Sequence, residues 1–197
     1  MKKLSDIGSP AGIAILILSL VVCISLSPGP LCAQGGILIP SFGQSKINVR
    51  VYTDYFCGPC RAGEPRIEAL LLDLVKRNTI RLTFVDTPVH PETPLYARYF
   101  LYILNNKKDF DHVLMARRAL FDAASIKIIT KEKLEEFLTQ KGIMYKSFDA
   151  KQTFDAMSKY IKNDGVKSTP VVVIDIGGQK QQYTGVDNIV KALELLK

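Results

Sequence analysis

The 197-residue chain contains no Trp, two His and four Cys, and it has no long block of like charge. Each scarcity excludes something. Four Cys are too few for a small scaffold held together by disulfides. Two of them, at 23 and 32, lie in a segment that reads as disposable, which leaves Cys57 and Cys60 with His90 and His112. Structural zinc takes four ligands, and these His fall in a Pro-rich loop and on a helix face, as surface or loop residues rather than ligands. The net charge of +7 comes without any basic block interleaved with aromatics, which argues against a nucleic-acid partner. Lys107-Lys108, Arg117-Arg118 and Lys131-Glu132-Lys133 read instead as a solvated face. What is present is apolar: 47% of residues, against 23% charged, which is too apolar for a disordered chain and suits one domain, or one domain carrying an insertion.

Only one stretch is long and apolar. Lys2 and Lys3 precede the 16-residue run Ala11–Leu26, then Ser27-Pro28-Gly29-Pro30 breaks any helix and Leu31-Cys32-Ala33 offers a small residue for cleavage. Residues 1–33 therefore read as an export signal peptide, with an uncleaved anchor as the alternative. Sixteen residues fall short of the roughly 20 that a spanning helix needs. A lipid anchor on Cys23 is disfavoured by bulky Val22 before it. In each case the body crosses to the oxidising side of a membrane, carrying a net charge of +6 once the signal is gone.

The rest alternates strand and helix. Residues 34–45 are a glycine-rich linker or edge strand, and Lys46–Thr53 alternates Ile47, Val49 and Val51 with polar residues as a strand. Ile67, Leu70, Leu71, Leu74 and Val75 recur at helical spacing, predicting a helix from about Gly58 to Asn78 that Pro65 should kink. Ile80–Val85 is the next strand, so the pair forms a parallel βαβ unit. Helical stripes follow: Phe110, Val113, Leu114, Leu120 and Phe121; then KEKLEEFLTQK with Thr130 as its N-cap; then Phe154, Met157, Tyr160 and Ile161. Val171–Ile176 is an apolar strand that Gly177-Gly178 turns into a hairpin, and Asn188–Leu196 is a last amphipathic helix. The expected fold is α/β: a mixed sheet flanked by helices, formed by 46–90 and 165–197, with an inserted helical subdomain at 91–164.

The Cys57-Gly58-Pro59-Cys60 segment opens the first predicted helix directly after a strand. A sulfur placed there meets free backbone N–H groups and the positive end of the helix dipole, which favour a thiolate. A C-x-x-C pair is equally compatible with a structural disulfide or half of a soft-metal site. A two-residue bridge, however, closes almost no loop and contributes little as a staple.

Cys57-Gly58-Pro59-Cys60-Arg61, with Pro65 five residues on, resembles the active-site helix of thioredoxin-fold proteins. Val166-Lys167-Ser168-Thr169-Pro170 resembles the loop that ends in a cis-proline, and Tyr183-Thr184-Gly185 also fits. The segment SKINVRVYTDYFC, the loop 86–91 and the helical insertion resemble the exported DsbA-like branch of the thiol–disulfide oxidoreductases. The resemblance implies that Cys57 is the exposed nucleophile and Cys60 the buried resolving thiol. Gly58-Pro59 is the dipeptide that tunes them, and Thr169 and Pro170 line a groove where a substrate strand pairs by β-augmentation. It implies no metal or cofactor beyond the two thiols. The partners it implies are cysteine-containing exported proteins and a membrane redox partner, quinone-linked or thiol-delivering.

Two departures stand out. Many relatives carry a buried carboxylate six residues before the first Cys, where this chain has Val51. Asp54 is then a candidate for proton transfer, or a turn residue at the start of the helix. Second, Gly58-Pro59 is the dipeptide of thioredoxin itself. The thioredoxin and DsbA prototypes lie near −270 and −120 mV, a difference of roughly 7 kcal/mol. Net oxidation of substrates is the leading expectation, from the body of the chain. Reduction of protein disulfides, from the dipeptide, is the alternative. A Cu(I)-delivery module would use the same two thiolates, although the Met residues are dispersed.

Overall fold

The computed structural model describes residues 37–197. The expected signal at 1–33 lies outside the described residues. Among the described residues, no helix is long and apolar enough to cross a membrane.

The elements run β1 (Ser41–Phe42), β2 (Ile47–Thr53), α1 (Gly58–Lys76), β3 (Arg81–Asp86), α2 (Thr93–Asn106), α3 (Phe110–Ser125), α4 (Lys131–Gln140), α5 (Lys151–Asn163), β4 (Val171–Ile176), β5 (Gln179–Thr184) and α6 (Val186–Glu194). The strands form one sheet in the order β1-β3-β2-β4-β5. β2 and β3 are parallel around α1, as the βαβ reading predicts, and the other pairings are antiparallel. The glycine-rich segment supplies β1, a two-residue edge strand against β3. Gly43 then turns the chain at φ +83°, where a Cβ would lie 2.3 Å from the Ile80 carbonyl oxygen. No other residue fits there.

The sheet is covered on both sides, which explains the unbroken apolar run of β4. Val172 and Ile174 join Val49, Val51, Leu82 and Phe84 in the larger core, against α1, α6 and α2–α4. Val171 and Val173 point to the other face, with Tyr52, Val85, Leu101 and Met157. That second face is pinned by Asp164, just after α5. Its carboxylate accepts from Arg50 Nε (2.5 Å), Tyr52 Oη (2.5 Å) and Lys180 Nζ (2.8 Å). Burial pushes the Asp164 carboxyl upward, but these donors outweigh it and hold the group below the usual carboxylate range.

α1 is one continuous helix through Pro65. Pro65 cannot donate to the Arg61 carbonyl, yet the apolar stripe on both sides of it carries the helix past. α1 meets α6 closely at Gly63, where a Cβ would stand 2.5 Å from Val186 Cγ2. Gly63→Ala is therefore expected to destabilise despite its better helix propensity, with a clash of about 1–3 kcal/mol. In a double-mutant cycle with Val186→Ala, urea denaturation should show a coupling of at least about 0.5 kcal/mol. Additive effects would mean that the two helices do not touch there.

One sequence-based reading is corrected. Arg117 was expected on a solvated face, but its side chain is fully buried. It lies at helical spacing within the stripe of Val113, Leu114, Leu120 and Phe121, so α3 turns it inward. Its guanidinium sits 4.1 Å from the Phe84 ring centroid, with the rings of Tyr55, Phe100 and Phe121 within 5.9 Å. Two carboxylates make this tolerable: Arg117 Nε is 3.2 Å from Glu64 Oε1, and Nη1 is 3.4 Å from Asp86 Oδ1. Nη2 donates to Thr53 Oγ1 at 3.0 Å. Arg118, by contrast, is more than half exposed and pairs with Glu68.

Candidate active site

β2 ends at Thr53, and the turn Asp54-Tyr55-Phe56 delivers Cys57 to the N-cap of α1. Cys57 has extended backbone (φ −68°, ψ 116°), and Pro59 in the first turn costs no helical hydrogen bond. Cys57 Sγ accepts from the Cys60 N–H at 3.4 Å, the contact that a capping side chain makes. The thiols of Cys57 and Cys60 are free and both residues are buried, at 7% and 1% exposure, while Gly58 and Pro59 between them are exposed. Cys57 is thus less open than the exposed nucleophile that the resemblance implies. Burial, and then the hydrogen bond to Cys57, push the Cys60 thiol up to about 12.

The Thr169–Pro170 peptide is cis, and the loop that carries it lies against the thiols. Cys57 Sγ donates to the Thr169 carbonyl oxygen at 3.4 Å, across 112 residues of sequence. The sheet explains the meeting, because β2 leads into Cys57 and its neighbour β4 starts immediately after Pro170. The structure thus brings together Cys57, Cys60 and Thr169-Pro170. Val51 lies further back in β2, paired with Phe84 and Val172 in the core.

Asp54 is fully buried beneath the turn. Its Oδ1 accepts from the backbone N–H of Phe56 (2.8 Å) and Cys57 (3.2 Å). Its Oδ2 accepts from the N–H of Val89 and His90, both at 2.9 Å. With four backbone donors on two oxygens, the geometry makes Asp54 a knot that ties the loop after β3 to the start of α1.

Sequence reading missed the buried trio of Glu64, Asp86 and Arg117. Glu64 stands four residues after Cys60 on the same helix, one turn along the same face. The available signal was that spacing, together with the place of Arg117 in an apolar stripe. Burial raises the Glu64 carboxyl, although Arg117 opposes the shift. Burial likewise raises Asp86 to about 6, against the pull of Arg117 and the Tyr55 hydroxyl.

Native Asp86 therefore keeps a proton that the unfolded chain releases near pH 4. Its contribution to stability is full below that point and is lost as the pH rises through about 6. Asp86→Asn should remove this slope. Between pH 4 and 7, the gap in unfolding free energy between wild type and variant is expected to change by about 2–3 kcal/mol. Parallel urea profiles at the two pH values would contradict the assignment.

A family model described as thioredoxin matches residues 42–194. No curated protein gives a significant sequence match. Among solved structures, the fold is similar to a periplasmic thioredoxin-like protein from Salmonella enterica serovar Typhimurium, with TM-score 0.59, 17% identity, 81% of this chain and 92% of that one covered. It is also similar to Pseudomonas aeruginosa DsbA2, with TM-score 0.56, 14% identity and coverage of 80% and 93%. Wolbachia pipientis alpha-DsbA1 aligns with TM-score 0.60, 14% identity and coverage of 87% and 92%.

Proposed function

The chain belongs to the thioredoxin family of thiol–disulfide oxidoreductases, and from that premise we propose that Cys57 and Cys60 are its redox pair, acting outside the cytoplasm on cysteines of exported proteins. The observation that carries this reading is the position of Cys57 Sγ, between the Cys60 N–H and the Thr169 carbonyl at the start of an exposed Gly58-Pro59 turn. A thiolate there gains from the helix N-terminus.

In the oxidising direction, a substrate thiolate attacks Cys57 Sγ of the Cys57–Cys60 disulfide and Cys60 leaves. Its thiol is held up to about 12, so it takes a proton at once and stays protonated. A second substrate thiolate then attacks the mixed disulfide on the substrate sulfur and expels Cys57. The substrate loses two electrons and two protons, and the pair gains them. Asp54 acts by position, holding the Cys57 N–H. Thr169 and Pro170 align the substrate strand, and residues 91–164 serve as the inserted subdomain that walls the groove. The export signal at 1–33 places this chemistry on the oxidising side, where a membrane redox partner resets the pair.

Net oxidation is supported by the likeness in fold to DsbA2 and DsbA1. The second reading, a reductant of protein disulfides, is favoured by Gly58-Pro59. The reduction potential against glutathione separates them. A value near about −120 mV is expected for net oxidation, and one near about −270 mV would reverse the direction.

A further inference from the structure

We infer that His90 is a positioning residue for the redox centre: its protonation, felt through Asp54, controls how readily Cys57 ionises. This inference rests on the reading of Cys57 as the nucleophile. The dipeptide between the cysteines offers no imidazole, but the fold brings one in from the loop after β3. His90 Nδ1 lies 3.0 Å from Asp54 Oδ1, and it is buried without a hydrogen-bond partner. What remains is a charge contact. About two-fifths of the side chain is exposed, so the ring is open to solvent. Its backbone N–H is fastened to the other oxygen of the same carboxylate, and the ring packs near Phe56 with centroids 6.4 Å apart.

The same Asp54 Oδ1 also accepts from the Cys57 N–H. A carboxylate charge one contact away from Cys57 disfavours a second negative charge on its sulfur. An imidazolium against that carboxylate cancels the repulsion, and a neutral imidazole does not. The effect works in a largely buried turn, where charge contacts are screened little. The thiolate is therefore favoured when the imidazole is charged and loses that support when it is neutral.

Other charged groups around His90 do not substitute for it. Arg61 on α1 donates to the Phe56 carbonyl at 3.1 Å, and Glu92 follows in the same loop; both are present in wild type and in a His90 variant, so they drop out of the comparison. Asp86 at the root of the loop does titrate near pH 6, but it acts equally in wild type and in a His90 variant, so it drops out of their ratio.

The test is the rate of Cys57 alkylation by iodoacetamide in the reduced protein, from pH 5.5 to 8.5, for wild type, His90→Gln and His90→Lys. It reads thiolate formation and needs no disulfide exchange, so it stands even if the redox activity proposed above fails. His90→Gln should react about threefold to tenfold more slowly than wild type at pH 5.5 and equally fast at pH 8.5. His90→Lys, charged throughout, should match wild type at acid pH and exceed it at pH 8.5. A wild-type to His90→Gln ratio that is unity or constant at every pH overturns the proposal, since a purely structural role predicts a constant. If His90→Gln does not fold, failure of His90→Lys to exceed wild type at pH 8.5 overturns it equally.

Discussion

Cys57→Ser is expected to reduce thiol–disulfide exchange to the uncatalysed background, while Cys60→Ser should accumulate covalent complexes with substrate proteins. The two cysteines are only three positions apart, yet their surroundings differ. Cys57 caps the helix, so its sulfur has the Cys60 N–H available to a negative charge, and it touches the cis-proline loop at the Thr169 carbonyl. Cys60 lies one position into the first turn beyond the exposed dipeptide, at 1% exposure, and its thiol is raised by burial. In the proposed mechanism an incoming sulfur meets Cys57, and Cys60 releases it. Without Cys60 the mixed disulfide has no resolving partner and persists. Non-reducing gel electrophoresis of the Cys60→Ser protein mixed with a reduced, unfolded protein should reveal the complex. Its absence, together with full activity in Cys57→Ser, would remove Cys57 from the mechanism.

Arg117→Ala should produce the largest loss of stability of any single substitution outside the cysteines. It leaves Glu64 and Asp86 in an aromatic pocket without a cation, and breaking such a buried pair costs about 3–5 kcal/mol. That is a large share of the roughly 5–15 kcal/mol that holds a domain folded. The urea midpoint should fall steeply. Replacing the whole trio (Arg117→Met, Glu64→Gln, Asp86→Asn) should recover much of the loss, because no charge then remains in that pocket. If Arg117→Ala costs less than about 1 kcal/mol, water or relaxation must reach the two carboxylates.

The trio also shows where the sequence was legible and where it was not. Local periodicity carried β2, α1, β3 and β4 to within a residue or two, Thr130 does cap α4, and Gly177-Gly178 does turn the hairpin. These features depend on neighbours in the chain. Arg117 depends on what surrounds its helix face, and the adjacent Arg118 masked it by suggesting an ordinary basic surface. At the active site, Cys57-Gly58-Pro59-Cys60 and Thr169-Pro170 stood out as motifs, and the sheet order explains why they meet. The partners of Asp54 were not legible, because two of its four N–H donors lie 35 and 36 residues away. The same loop brings His90 to the carboxylate, and nothing local to His90 indicates it.

The most direct measurement is stoichiometric disulfide transfer. The oxidised protein is mixed with a reduced, unfolded protein, quenched with acid, and free thiols are counted on both by alkylation and mass spectrometry. Each chain is expected to gain two thiols, at Cys57 and Cys60, while the substrate loses two and forms one disulfide. Cys57 and Cys60 remaining unalkylated, with substrate thiols unchanged, would contradict it.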